Sequence, residues 1–116
     1  MRKLEVFFNN EKAGVLSEFK SGAKYGYSFR YYTDYLKTDL PPISLTLPKR
    51  EEAYEADFLF PFFSNMLPEG ANRKIISRGL KVDEDDLFGL LCVMAGKDFI
   101  GAVGLRPFNE TNETTV

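Results

Sequence analysis

Apolar and polar positions alternate along the first third of the chain, and this pattern predicts β-structure. Leu4 to Phe8 is a short apolar run that ends at a turn signal, Asn9-Asn10. Ala13 to Phe19 follows, with Ser21-Gly22 as the next turn signal. From Tyr25 to Tyr31, aromatic residues alternate with Gly, Ser and Arg, the period-2 pattern of a half-buried strand. Three short strands with tight connections indicate an antiparallel meander.

The next segment is rich in proline. We predict a loop over residues 33–42, closed by Pro41-Pro42. Ile43 to Leu47 alternates apolar and polar residues again, and Pro48 ends the run. Because proline cannot donate to a strand ladder, prolines on both sides favour an edge strand or an extended arm.

Near residue 57 the apolar spacing becomes helical. The apolar stripe consists of Phe58, Leu59, Phe62, Phe63 and Met66. We assign its members Phe58, Phe62 and Phe63 to the core. Asp57 is the candidate N-cap, but Pro61 would then cost a hydrogen bond in the first turn, so a later start is the alternative. We expect the acidic residues at 51–57 to lie on a solvated loop.

Two more helices and a final strand complete the pattern. The helices are predicted at 71–78 and at Asp83 to Ala95, the second with Asp83 as N-cap. The strand is predicted at Phe99 to Leu105. Because strands and helices are segregated rather than alternating, the fold class is α+β. We expect a mostly antiparallel sheet, a meander plus a C-terminal strand, with three short helices packed on it. The domain spans 1–107, and 108–116 is predicted to be a disordered polar tail.

Composition narrows the possible functions. The 116 residues suit one domain, and 11 Phe with 6 Tyr supply more rings than so small a core readily hides, which hints at a surface for a partner. The net charge of −2 does not favour phosphate backbones, so we expect no direct nucleic-acid binding. The N-terminal apolar run is too short for a signal peptide or a membrane span, so a cytoplasmic protein is expected. Cys92, in an apolar run, is expected to be an inert core thiol.

The residues needed for most enzyme chemistry are absent. There is no histidine, no phosphate-binding loop and only one cysteine, so we predict no catalytic residue, no cofactor and no metal site. The acidic residues at 83–86 are consecutive, and consecutive helical residues point about 100° apart, so they fit helix capping better than one ion. A basic cluster at 73–81 could hold an anion or line a solvated helix face.

Four stretches, in their order, resemble a known family. They are 42–48 (PISLTLP), 62–70 (FFSNMLPEG), 85–91 (DDLFGLL) and 101–103 (GAV). Together they resemble the N-terminal subdomain of HipA-type serine/threonine kinases, the toxins of bacterial HipBA toxin–antitoxin modules. The resemblance runs from Leu4 to about Pro107.

The family's catalytic residues lie in a kinase core that has no counterpart in these 116 residues. The resemblance therefore implies a separately encoded subdomain, as in HipBST modules, where the short protein HipS is the antitoxin that restrains the kinase HipT beside a helix-turn-helix protein, HipB. Three alternatives stay open: an obligatory subunit that completes the kinase, a scaffold that reaches the HipB-like protein through the kinase, and the first part of a longer enzyme.

We expect the kinase to contact residues 41–48 and 65–73. An arm flanked by prolines loses little entropy on docking, and the segment around Leu67 offers an apolar knob next to a carboxylate at Glu69. A plain helix-ending turn is the alternative for 68–70. The candidate contact residues are Pro42, Ser44, Leu45, Leu47, Pro48, Asn65, Leu67, Pro68, Glu69, Gly70 and Arg73.

Overall fold

A computed structural model describes residues 2–67, 83, 85–95 and 102–108, and its centre is an antiparallel sheet. The strands are β1 (Arg2–Phe8), β2 (Glu11–Ser21), β3 (Lys24–Tyr31), β4 (Tyr54–Ala56) and β5 (Val103–Pro107). Their order is β4-β3-β2-β1-β5, and every neighbouring pair is antiparallel. The predicted α+β class, with a meander joined by a C-terminal strand, is confirmed.

The turn signals of the meander act as the sequence predicts. Asn9 and Asn10 have φ values of 48° and 69°, so they form the left-handed two-residue connection that suits the twist of a hairpin. Gly22 has a φ of 63° in the next turn. A register shift between Val6 and Phe7 marks a β-bulge, which places Ala13 opposite no partner on β1.

Three short helices lie in the described part of the chain: α1 (Thr33–Leu36), α2 (Pro61–Ser64) and α3 (Leu87–Met94). Helix α1 falls in a segment predicted to be a loop, because four residues are too few to show a helical period. Helix α2 starts later than Asp57: Phe60 is the N-cap and Pro61 is the first helical residue, where the missing N–H costs nothing.

The N-cap of α3 is Asp86 rather than the predicted Asp83. The Asp86 carboxylate accepts a hydrogen bond from the Gly89 N–H at 3.1 Å. Asp83 lies one turn earlier, where its carboxylate accepts from the Asp85 N–H at 2.9 Å. The helix therefore starts at Leu87, and its N-cap lies three residues later than predicted.

The segments between the helices and strands bring further corrections. Residues 43–47 form neither an edge strand nor an extended arm: the chain folds back on itself, with a single bridge between Ser44 and Leu47. Residues 54–56, predicted to be a loop, form the edge strand β4 against β3. The last strand begins at Val103, and the predicted helix over 71–78, residues 99–101 and the tail after Phe108 lie outside the described residues.

One face of the sheet carries the core. The buried cluster combines that face with the three helices and consists mainly of Leu4, Val6, Leu16, Phe29, Tyr31, Tyr35, Ile43, Leu47, Leu59, Phe63, Leu67, Phe88, Leu90, Leu91 and Leu105. Phe63 belongs to the core as predicted, and Phe62 is half-buried. Phe58 is 65% exposed, so its assignment to the core was wrong. It lies in the bend before α2, where no helical turn points it inward.

Glycine at two strand positions makes room for an aromatic ring. A Cβ at Gly14 would lie 2.4 Å from the Arg30 carbonyl oxygen and 2.9 Å from the Phe29 ring, and a Cβ at Gly26 would lie 2.4 Å from the Phe19 ring. At Gly104 a Cβ would meet nothing within 4 Å.

Gly14→Ala is therefore expected to lower the free energy of unfolding by about 1–3 kcal/mol, because the added methyl meets backbone that cannot move aside. Gly104→Ala is the matched control in a neighbouring part of the same sheet, with an expected change of no more than about 0.5 kcal/mol. Urea unfolding monitored by tyrosine fluorescence measures both. Equal effects of the two substitutions would contradict the packing described for Gly14.

Candidate functional site

The segment Pro41 to Pro48, called here the 41–48 turn, is attached to the sheet by a buried tyrosine. The Tyr31 hydroxyl accepts a hydrogen bond from the Ile43 N–H at 3.0 Å and donates one to the Leu47 carbonyl. Tyr31 lies on β3 and is 3% exposed. One hydroxyl thus fixes both ends of the five-residue loop from Ile43 to Leu47.

Further side chains hold the backbone on either side of this loop. The Tyr35 hydroxyl donates to the Pro41 carbonyl at 2.6 Å, and the Tyr54 hydroxyl donates to the Pro48 carbonyl. The Lys49 ammonium donates to two carbonyls of the preceding loop, those of residues 38 and 40, at 2.8 and 2.9 Å. The carbonyls at both ends of the turn therefore have defined partners.

Inside the loop, the chain makes its own hydrogen bonds. The Leu47 N–H donates to the Ser44 carbonyl at 3.1 Å, and the Ser44 and Thr46 hydroxyls lie 2.8 Å apart. Ile43 and Leu47 point into the core, at 5% and 3% exposed. Leu45, between them, is 93% exposed. The result is a fixed turn that presents one leucine to solvent.

The structure separates the predicted contact residues into three groups. Pro42 and Ser44 are half-buried on the turn, and Leu45, Pro48 and Asn65 are exposed. Pro68, Glu69, Gly70 and Arg73 lie outside the described residues.

Leu47 and Leu67 form the third group, and both need correction. They are 3% and 4% exposed and belong to the hydrophobic core. A side chain buried within its own domain has no surface left for a partner, so Leu67 is not the apolar knob that the sequence suggested, and Leu47 offers no exposed contact.

Sequence reasoning missed the tyrosines that hold the turn. The alternation in β3 assigned Tyr31 to the buried face correctly, but a buried tyrosine also needs a hydrogen-bond partner for its hydroxyl. This requirement indicates that the Tyr31 hydroxyl has a buried hydrogen-bond partner, but it does not identify which residue the partner is. Phe58, 65% exposed, is a second apolar surface residue that the helical pattern had hidden.

Burial shifts the pKa of Tyr31 and of Cys92. Burial raises the pKa of the Tyr31 hydroxyl to about 12, so the hydroxyl stays protonated and able to donate. Cys92 is half-buried against the core, and burial raises the pKa of its thiol, which disfavours the reactive thiolate. In the part of the chain that the structure describes, no group of three Cys, Asp or Glu side chains could hold a metal ion.

A charged cluster at Arg2 ties helix α3 to the sheet. The Arg2 guanidinium donates to the Asp86 carboxylate through two nitrogens, at 3.0 and 2.8 Å, and to Glu18 at 2.7 Å. It also lies over the Phe88 ring, 5.3 Å from the centroid. Glu18 is 6% exposed, so its charge needs this partner. An open cavity of about 360 Å³ adjoins the cluster, with Lys20 and Tyr25 on its other side.

Tyr31→Phe is expected to lower the free energy of unfolding by about 1–3 kcal/mol, because it leaves the Ile43 N–H and the Leu47 carbonyl without a partner. Tyr25→Phe, at a tyrosine that is 51% exposed, is the matched control and should change little. Chemical denaturation measures stability, and amide hydrogen exchange at Ile43 reports on the turn itself. Unchanged protection of that amide in Tyr31→Phe would contradict the anchoring described above.

Substitutions at Asp86 separate its charge from its capping role. Asn can still cap a helix, so Asp86→Asn should lose only the attraction to Arg2, under about 1 kcal/mol for a pair more than a third exposed. Asp86→Ala loses the cap as well, about 1 kcal/mol more. The hydrogen bond from Arg2 lowers the pKa of Asp86, so the charge stabilises the fold above the ordinary carboxyl pKa.

That stabilisation is lost as the pH falls through the lowered pKa of Asp86, because the protonated carboxyl no longer attracts Arg2. Urea unfolding at neutral pH and at about pH 3 tests this, since unpaired Asp protonates near pH 4. The difference between wild type and Asp86→Asn should shrink at the acidic pH. A constant difference would show that the charge contributes nothing.

Within residues 2–67, 83, 85–95 and 102–108, no helix has the length and apolar character needed to cross a membrane.

Comparison with known structures finds the N-terminal domain of the HipA toxin, with a TM-score of 0.69 and 25% identity over 95% of each chain. The shared fold therefore extends over almost the entire chain.

Sequence relatives point the same way. A Haemophilus influenzae protein described as uncharacterized is 31% identical over 106 residues, which is 91% of this chain and 92% of that protein. Y4mE of Sinorhizobium fredii, a protein whose name describes a kinase, is 31% identical over 108 residues, 92% of this chain but 25% of Y4mE. The HipA N-terminal domain profile matches residues 4–106. The chain therefore belongs to the HipA N-terminal domain family.

Proposed function

We propose that this chain is a non-catalytic partner that binds a HipA/HipT-type serine/threonine kinase and restrains it, as an antitoxin does in a bacterial toxin–antitoxin system. The observation that carries the proposal is Leu45, 93% exposed on a backbone that buried tyrosines hold in place. Within the described residues, it is the most exposed of the large apolar side chains.

The turn is suited to docking because its backbone is fixed before a partner arrives. Burying a leucine side chain releases about 1.5–3 kcal/mol. A mobile loop would lose part of that energy in being ordered, whereas the 41–48 turn already has hydrogen-bonded ends. Pro42 and Pro48 restrict the backbone on either side of the loop.

Family membership supports a kinase as the partner. In Y4mE, a protein named as a kinase, the matching region makes up 25% of the length, so the domain there is covalently joined to a longer chain. Domains joined in one chain commonly share an interface. A separately encoded copy of the domain can use the same kind of surface on a kinase in another chain.

Y4mE also favours a second candidate, an obligatory subunit that completes the kinase. In Y4mE, which is named as a kinase, the matching domain is part of one longer polypeptide. Restraint and completion differ in one measurement: phosphate transfer by the purified kinase with and without this chain. Restraint lowers the rate on addition, and completion raises it. A scaffolding role, in which the kinase links this chain to a HipB-like helix-turn-helix protein, would leave the rate unchanged and alter operator binding.

The other predicted residues with accessible surface, two half-buried and two exposed, extend the proposed contact around Leu45. Pro42, Ser44 and Pro48 flank it on the turn, and Asn65 follows helix α2. Pro68, Glu69, Gly70 and Arg73 remain proposed contacts from the sequence alone. Leu67→Asp, although an obvious substitution near this surface, would place a charge in the core and test stability instead of binding.

Leu45→Asp is expected to weaken binding to the kinase by at least about tenfold, since it removes an apolar contact worth about 1.5–3 kcal/mol. The free energy of unfolding should stay within about 0.5 kcal/mol, because the side chain is on the surface. Isothermal titration calorimetry with the purified kinase measures the affinity.

Phe58→Asp is the matched control, since it also replaces an exposed apolar side chain by a carboxylate. It should leave the affinity near that of the wild type. An equal loss for both variants would mean that exposed apolar surface in general, and not the 41–48 turn, mediates binding. Undiminished affinity of Leu45→Asp would exclude the turn.

A further inference from the structure

The sheet has a second face, opposite the core, which we call the outer face. Strand alternation assigns side chains to it: Leu4 and Val6 point into the core, so Lys3, Glu5 and Phe7 point outward. The strand registers extend the assignment to further outward residues, among them Lys12, Val15, Ser17, Phe19, Gly26, Ser28, Arg30, Glu55, Gly104 and Arg106. The three described helices contribute their buried residues to the core face.

Basic residues are in excess on the outer face. It carries Lys3, Lys12, Arg30 and Arg106 against two carboxylates, although the whole chain has a net charge of −2. One of those carboxylates, on Glu5, has a side chain only 12% exposed and accepts a hydrogen bond from the Tyr32 hydroxyl at 2.7 Å. The charge that reaches solvent is therefore mostly positive.

The outer-face arginines differ from Arg2, the arginine of the core face. Arg2 has two carboxylate partners, Glu18 and Asp86. Among the residues that the structure describes, Arg30 and Arg106 have no carboxylate within ion-pair distance, and both are exposed. The Lys12 ammonium is 4.0 Å from Glu5 and its side chain is 52% exposed. Within the described residues, no carboxylate therefore neutralises Arg30 or Arg106.

Aromatic rings hold two of the cations in place. The Arg106 guanidinium lies 4.3 Å from the centroid of the Phe7 ring, and the Lys3 ammonium lies 5.2 Å from the centroid of the Phe108 ring. Such cation–π contacts limit the freedom of long side chains, so less entropy is lost when they bind an anion.

The shape of the face matches its charge. Ser17 and Ser28 pair across β2 and β3, so the face is low at this point; Val15 pairs with Arg30 on one side of the serines and Phe19 with Gly26 on the other. Arg106 and Arg30 lie in one cross-strand row, with β1 and β2 between their strands, which separates their strands by roughly 14 Å. Between them the row holds Val15 and Glu5, whose carboxylate is mostly buried and hydrogen-bonded to Tyr32, so the exposed charges of the row are the two arginines at its ends. A segment that lies across the strands can contact both.

We propose that the outer face docks an acidic protein segment, separately from the surface at Leu45. Leu45 belongs to a turn that is bonded to Tyr31 on the core face, so the two surfaces lie on different sides of the sheet. An acidic protein fits better than a nucleic acid because Phe7 is only 7% exposed and offers no open ring for base stacking.

The test is an NMR titration of the isotopically labelled chain with a short poly-L-glutamate peptide and, separately, with a DNA duplex of similar charge. The peptide should shift the amides of residues next to Lys3, Arg30 and Arg106 and leave those of the 41–48 turn unchanged. Arg30→Glu/Arg106→Glu should weaken peptide binding by at least about tenfold.

The control is Lys20→Glu/Lys37→Glu, which changes the net charge equally at two exposed residues away from the outer face. Its affinity for the peptide should fall by less than about threefold. If the charge-reversed variant does not fold, Arg30→Gln/Arg106→Gln replaces it in the titration. This variant is also expected to bind the peptide more weakly than the wild type. Equal weakening in test and control variants, or tighter binding of DNA than of the peptide, would overturn the proposal.

Discussion

The buried Tyr31 hydroxyl is the contact on which the conformation of the 41–48 turn depends. It is attached to the middle of the sheet and satisfies one N–H and one carbonyl of a loop more than ten residues away. Water cannot replace the hydroxyl at a residue that is 3% exposed, so the loop must keep this conformation while the core is intact. Core stability and surface shape are thereby coupled through one oxygen atom.

The aromatic core extends that coupling. Tyr31 packs edge to face against Phe29 and stacks on Tyr35, whose own hydroxyl holds the start of the 41–48 turn. Phe29 in turn contacts Phe63 of helix α2. A rigid set of rings thus links the sheet, two helices and the turn. The conformation of the turn therefore depends on the packing of these rings as well as on its own hydrogen bonds.

Charge is arranged differently on the two sides of the sheet. On the core face, Arg2 is neutralised by Glu18 and Asp86 and joins the sheet to α3. On the outer face, the arginines are exposed. A paired, partly buried arginine contributes to the fold, whereas an exposed one is available for recognition. A domain of this size can therefore offer an apolar contact on one side and an electrostatic contact on the other.

How much the sequence predicts depends on element length. Strands β1 to β3 were found because their apolar runs, and in β3 a clear alternation, are separated by turn signals at Asn9-Asn10 and Ser21-Gly22. Asn9, Asn10 and Gly22 have the left-handed backbone that these residue types tolerate. Helix α1 and strand β4, with four and three residues, are too short to show a period. Leu45 became a candidate contact because it lies in the 42–48 motif. Its exposure could not be predicted from the sequence, because an apolar residue between two other apolar positions is usually expected to be buried.

By itself, the sequence determined the α+β class, the meander and the family resemblance, because these rest on local periodicity and on the order of short motifs. Only the tertiary structure decided what Ile43 to Leu47 becomes. Its alternating pattern is the same for a strand and for a turn with two inward ends, and the deciding hydroxyl lies on another strand. Likewise, Asp86 rather than Asp83 caps α3 where Arg2, 84 residues away in sequence, binds it. Long-range partners of this kind leave no local signal.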